Sequence, residues 1–278
     1  MSQTHTMRLS VPWDASATLN VAARCWLVVT LIGQWAFLTY LTGFYGRTIV
    51  TGDPEQWNLN HVLPRGYVAT DPHWDLYFGA HVMLAAVIAF GGTLQLIPQI
   101  RDRAIAFHRW NGRVFMLTAL GGSLTGLWMV WMRGADLGGG STLGPLSVSV
   151  DALLIIAFAA VAWSLVRRGH IESHRRWTLR LFMVANGVWF LRLGVFGWYI
   201  LTGGVGMTNS GTGPMNYFFD FADYLLPLAV LELYLRARDG GNFSARIAAV
   251  VTVLAATAYM AVGMIALTMV QLSLLNKL

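Results

Sequence analysis

Seven long apolar runs constrain this chain more than any other feature. A helix crossing a hydrocarbon layer about 30 Å thick needs roughly 20 mostly apolar residues. Runs of that kind fall at about 24–45, 75–99, 112–132, 148–167, 177–202, 217–236 and 246–273. They are continuous and rich in leucine and alanine rather than alternating, so a membrane β-barrel is excluded. Apolar residues make up 56% of the chain and charged residues 12%, against a charged share of about a quarter in water-soluble domains. That balance cannot cover a soluble surface, so the outside must face lipid. The expected fold is an all-α integral membrane protein of about seven transmembrane helices. One membrane domain is expected over 1–278, with a central four-helix bundle at about 75–203 and flanking spans at about 24–45, 217–236 and 246–273. The first run is longer than a signal-peptide core and is expected to stay as the first span.

Several function classes drop out early. The single cysteine, Cys25, excludes an internal disulfide and any cysteine-rich metal centre. The formal net charge of +6 comes from basic residues beside apolar spans, which reads as membrane orientation rather than nucleic-acid binding. There is no Gly-x-Ser-x-Gly, no phosphate loop and no His-Glu-x-x-His, so hydrolase and nucleotide-driven readings have no motif behind them.

Local signals place the ends of the spans. Asp71 can cap the second span, Pro72 suits its first helical position, and Asp75 lies in its first turn near the positive helix end. Gly122 and Gly126 on the third span form a small-xxx-small pattern suited to close helix packing. Trp110 and Trp177 mark one membrane interface, and Trp74, Trp131 and Trp198 the other. Arginines concentrate on one side, including Arg24, Arg101, Arg103, Arg167, Arg168 and Arg246; the opposite segments hold only Arg47, Arg65, Arg133 and Lys277. This bias predicts a cytoplasmic N-terminus and, with seven spans, an outside C-terminus. The polar stretch at about 46–74, with Glu55, Trp57, His61, Asp71 and His73, reads as an outer connecting loop, with a lid as the alternative.

A basic turn occurs twice. The first copy is Phe107-His108-Arg109-Trp110-Asn111-Gly112-Arg113, and the second is Ser173-His174-Arg175-Arg176-Trp177-Thr178-Leu179-Arg180. Each follows one apolar run and opens another, so each is the bend of a helical hairpin, and both bends fall on the cytoplasmic side. The hairpins run the same way, which makes any repeat parallel rather than inverted.

The residues from His108-Arg-Trp-Asn-Gly-Arg113, through Gly126-Leu127, to His170-Ile-Glu-Ser-His174-Arg-Arg-Trp177 and Arg192 resemble a bacterial family of multi-span membrane proteins, the domain of unknown function 2306. The resemblance covers about 75–195. It implies membrane architecture, localisation in the bacterial inner membrane, and importance for these residues, but no reaction. Thr178 departs from the pattern, standing where a second apolar residue would follow the Trp.

Two site readings follow. In the first, His108 and His174 ligate the iron of haem b from facing helices, while Arg113 and Arg180 pair with its propionates; the protein then carries electrons between a membrane quinone and a partner. The bland alternative is that these side chains bind headgroup phosphates. His170 and His174, four apart with Glu172 between, provide only part of a metal site. In the second reading Arg192, about 18 Å beyond Arg180 along a helix, lies inside the apolar layer. There it must find Asp223, Asp151 or Asn186, or line a pocket for an anionic or quinone-like ligand together with His81. The protein is then a transporter or an accessory subunit among membrane partners. Glu232 and Arg236, four apart, are expected to pair locally.

Overall fold

The computed structural model describes residues 14–60, 66–133 and 141–278, and these form helices without a strand. Helix α1 (Ala15–Tyr40) passes through a π-helical turn (Leu41–Gly46) into α2 (Arg47–Thr51). A 3₁₀ turn (Pro54–Leu59) follows, then α3 (Pro72–Leu96), the short α4 (Pro98–Arg103) and α5 (Ile105–Arg133). The remaining helices are α6 (Gly144–Arg167), α7 (Ile171–Ala185), α8 (Gly187–Thr202), α9 (Pro214–Gly240) and α10 (Phe243–Leu275).

Capping chemistry sets several boundaries. The Asp71 carboxylate accepts from the Trp74 N–H at 3.0 Å, with Pro72 in the first turn and Asp75 just after, as the sequence leads one to expect. Asp14 and Asn242 cap α1 and α10 in the same manner. The first span therefore begins well before residue 24 and runs through Thr51, 37 residues in all. Hydropathy marks the lipid-thick part of a helix, whereas the cap marks its true start. Gly169, at φ +77°, supplies the left-handed residue that turns α6 into α7.

Five helices are long and apolar enough to cross a membrane, and the bent pair α7–α8 makes a sixth. The seventh expected span, 217–236, lies in α9, which is not among them, because Asp220, Asp223 and Glu232 interrupt its apolar run. Even so, α9 extends from one end of the bundle to the other. Near its start Asp220 accepts a hydrogen bond from Ser141, just ahead of α6. Near its end Asp239 pairs with Arg176 in the first turns of α7.

The helices pack closely through small residues and backbone acceptors. In the α3–α5 hairpin, Asn111 Nδ2 donates to the Gly91 carbonyl at 2.8 Å and Gln95 Nε2 to the His108 carbonyl at 2.9 Å. Gly126 sits against His81, where a Cβ would be 3.4 Å from the ring. Helices α1 and α10 lie side by side and parallel: Arg246 Nη1 reaches Ser16 Oγ at 2.7 Å at one end, and Gly43 faces Leu275 at the other. On α10, Gly263 lies directly against the Leu193 backbone of α8. Besides a small cluster joining α1, α9 and α10 around Ala22, Ala237 and Ala249, the main apolar core runs through the bundle, including Phe37, Phe115, Phe182, Trp189, Tyr224 and Leu267, so α1, α9 and α10 share it with the central helices. Trp74 belongs to that core at 2% exposure, which corrects its assignment to the membrane interface.

Candidate functional site: a polar cavity beside a broken helix

The run at 177–202 reads as one straight span, yet the chain bends by 55° between α7 and α8. Asn186 is the hinge. Its amide nitrogen donates to the Phe182 carbonyl at 2.8 Å, and its Oδ1 accepts from Gln34 Nε2 of α1, also at 2.8 Å. Gly187 follows with no side chain, and the carboxylates of Asp151 (α6) and Asp223 (α9) close on that bare position. A Cβ there would lie 3.4 Å from Asp151 Oδ2 and 3.5 Å from Asp223 Oδ2. The Asn-Gly dipeptide was the sequence signal for this break, masked by the hydropathy of its surroundings. Non-helical backbone at membrane depth is tolerated where protein or a cavity surrounds it.

A cavity of about 260 Å³ lies beside the break. His81, Arg192, Asn186 and Asp223 all line it, and so do Gln34 and Asp151. The Arg192 guanidinium does not reach either aspartate. Its Nη1 donates to the Val188 carbonyl of its own helix at 3.1 Å, and its Cζ stands 5.2 Å over the Phe37 ring. Among the described residues Arg192 makes no ion pair, which corrects the expectation that Asp223 or Asp151 accepts from it. His81 lies within reach of the Arg192 charge. Its Nδ1 is 2.9 Å from Thr125 Oγ1, whose own proton is directed at the Gly121 and Gly122 carbonyls. Thr125 therefore accepts, Nδ1 carries the ring proton, and Nε2 is left as an acceptor.

The end of the cavity near Tyr45 and Phe78 is covered by the segment after α2. Trp57, 4% exposed, packs on Tyr45 and Phe78, both of which line the cavity. Its indole donates to Thr48 Oγ1 at 2.6 Å. Asn60 donates to the Tyr40 and Tyr45 hydroxyls, each at 2.9 Å. His61 and Arg65 lie outside the described residues. A larger cavity of about 760 Å³ lies along α1 and α7–α10, and Asp223 borders both.

The two basic turns lie at one end of the bundle, with His108 within electrostatic reach of His174. His174 Nδ1 donates to the Ala162 carbonyl at 2.9 Å, while the buried His108 Nδ1 has no hydrogen-bond partner among the described residues. The arginines beside them are engaged elsewhere. Arg113 stacks over Trp110 at 4.9 Å. Arg180 binds Glu232 twice, at 2.5 and 3.0 Å, and lies 4.7 Å over Trp177. Glu232 thus pairs with Arg180 across helices rather than with Arg236 along its own. Glu172 lies near Arg176 and Arg238, and among the described residues no group of three or more His, Cys, Asp or Glu could hold a metal ion.

Residues 78–210 match a family described as predicted membrane protein, DUF2306. No curated protein and no solved structure matches the chain. The matched stretch includes both basic turns, the hinge at Asn186, His81 and Arg192. Over this stretch, a little under half of the chain, the protein is similar to the DUF2306 family of predicted membrane proteins.

Proposed function

We propose that this protein binds a small anionic or quinone-like ligand inside the membrane, in the cavity around Arg192 and His81, as a transporter or an accessory subunit. The observation that carries the reading is the Arg192 guanidinium, sited in a cavity wall without a carboxylate partner. A cation held in a water-poor interior needs a counter-charge or strong acceptors, and a ligand oxygen supplies either. His81 Nε2 complements it by accepting from a ligand hydroxyl. A hydroxy acid or a quinol offers both groups. The break at Asn186 supports the same reading, because discontinuous helices at mid-depth are where membrane transporters build substrate sites. In this reading the protein sits in the bacterial inner membrane with its N-terminus and both basic turns cytoplasmic. With α9 as a crossing, the C-terminus is outside. The test is the thermal stability of purified protein in detergent with acetate, lactate, succinate or a short-chain quinol added. At least one should stabilise the wild type and leave Arg192→Gln unmoved. If none stabilises the wild type, the reading fails.

A second reading keeps haem b at His108 and His174. It is favoured by the His174 ring, whose donated Nδ1 proton leaves Nε2 as the lone-pair nitrogen that an axial ligand needs. Against it stand Arg113 and Arg180, both already engaged. Protein from haem-replete cells should then be red, with a Soret band lost in His174→Ala, and colourless protein removes this reading.

A further inference from the structure

The Arg192 site leaves part of the cavity unused. On the α6–α9 side, Asp151 and Asp223 meet beside Gly187. Neither makes an ion pair among the described residues, and Asp151 Oδ1 is buried without a hydrogen-bond partner. Asp223 Oδ1 accepts only from the N–H of the next residue, Tyr224, at 2.9 Å. An independent feature points to the same place. Gln34 is fully buried at 0% exposure, its amide is fixed on Asn186 next to Gly187, and its Oε1 has no hydrogen-bond partner among the described residues. An unsatisfied amide oxygen is costly in the interior of a protein and asks for a donor or a cation.

We infer that Asp151 and Asp223, with Gln34 Oε1 beside them, form a site for a small monovalent cation, a proton or Na⁺, in the wall of the cavity. Two carboxylates this close in a low-dielectric interior cannot both stay ionised without compensation. Either one takes a proton or a cation binds between them. For Na⁺ the site offers hard oxygen donors from three helices. A break in a membrane helix is also where transporters hold coupling ions. For a proton, one carboxylate becomes a carboxylic acid and donates to the other, and no further reactant is needed. The other titratable groups facing the pair are Asp220 and Tyr224 on α9, Arg192 on α8, His81 on α3 and Tyr45 in the π-helical turn. Asp220 is held by Ser141 at the outer end, and Arg192 lies toward Phe37. Nothing in the site depends on the Arg192 ligand, so it stands if that reading fails.

The experiment measures the unfolding temperature of purified full-length protein with no organic ligand present. NaCl is compared with choline chloride at fixed ionic strength, and pH is varied in choline alone. The Na⁺ form of the proposal gives a rise of several degrees with Na⁺ at alkaline pH, absent in Asp151→Asn and Asp223→Asn and retained in Arg192→Gln. The proton form gives no Na⁺ effect but a rise as pH falls, again absent in both aspartate variants. A wild type indifferent to both ions, or responses unchanged in the variants, overturns the proposal. Should the aspartate variants not fold, binding of radiolabelled Na⁺ and its competition by acid on the wild type, with Gln34→Leu as the weakened form, decide the matter. Absence of Na⁺ binding together with absence of any pH response again overturns it.

Discussion

Gly263→Ala offers a sharp test of how the broken helix is held. A Cβ at this position would lie 2.1 Å from the Leu193 carbonyl oxygen, 2.8 Å from its carbon and 3.0 Å from its Cα. Carbon–oxygen contacts of this type settle near 3.3–3.6 Å, so α10 must withdraw from α8 by about 1.2 Å or more. All three atoms are backbone, and no side-chain rotamer can relieve the clash. Forced overpacking costs roughly 1–3 kcal/mol. The gain of up to about 1 kcal/mol that alanine gives over glycine in a soluble helix offsets little here, because α10 stays hydrogen-bonded in lipid whether or not it is packed. Loss of stability should dominate. The assay is denaturation of the purified protein by SDS in mixed micelles, with Gly43→Ala as control. At Gly43 the new Cβ meets only the flexible end of Leu275, at 3.1 Å. Gly263→Ala should unfold at clearly lower SDS and Gly43→Ala near the wild-type value. If Gly263→Ala matches the wild type, the close α8–α10 contact described here is wrong, and with it the placement of the neighbouring Arg192.

Two further substitutions probe the polar contacts. Arg180→Ala strands Glu232 at a site where the two side chains are 19% and 30% exposed; about 1–3 kcal/mol should be lost, and the double variant with Glu232→Gln should recover part of it in an SDS-unfolding cycle. Asn186→Leu leaves the buried Gln34 amide without its partner and should cost about 1–3 kcal/mol. Adding Gln34→Leu should restore some of that stability, and additive losses would argue against the Gln34–Asn186 bond.

Much of the architecture was legible in the residues, and what was missed has a physical cause. The apolar runs, the Asp71 cap and the two arginine-rich bends are local features, each set by a few neighbouring residues and the bilayer. The break at Asn186 was not read because one polar residue barely lowers the mean hydropathy of a 26-residue window. Its Asn-Gly signal was available all the same. The α9 run reads as an ordinary span because its acidic residues are few and spread along it, and the structure turns Asp223 to a cavity and Glu232 to a cross-helix partner. Spacing on one helix suggested Glu232–Arg236, but which cation a carboxylate meets depends on how helices rotate against each other. The same holds at Arg192, whose nearest acceptor is its own backbone. His81, Arg192, Asn186 and Asp223 could be named as polar residues inside apolar runs. That they share one cavity, with Asp151 and Gln34 as further members, required coordinates.

The measurement closest to the central claim is equilibrium binding of radiolabelled lactate to purified protein, wild type beside Arg192→Gln and His81→Gln. An unpaired guanidinium in the cavity wall predicts saturable binding of one ligand per chain, lost in Arg192→Gln, weakened in His81→Gln and unchanged in His108→Ala. Binding that survives in Arg192→Gln at full strength, or wild-type protein that binds neither lactate nor acetate, succinate or a short-chain quinol in the same assay, would contradict it.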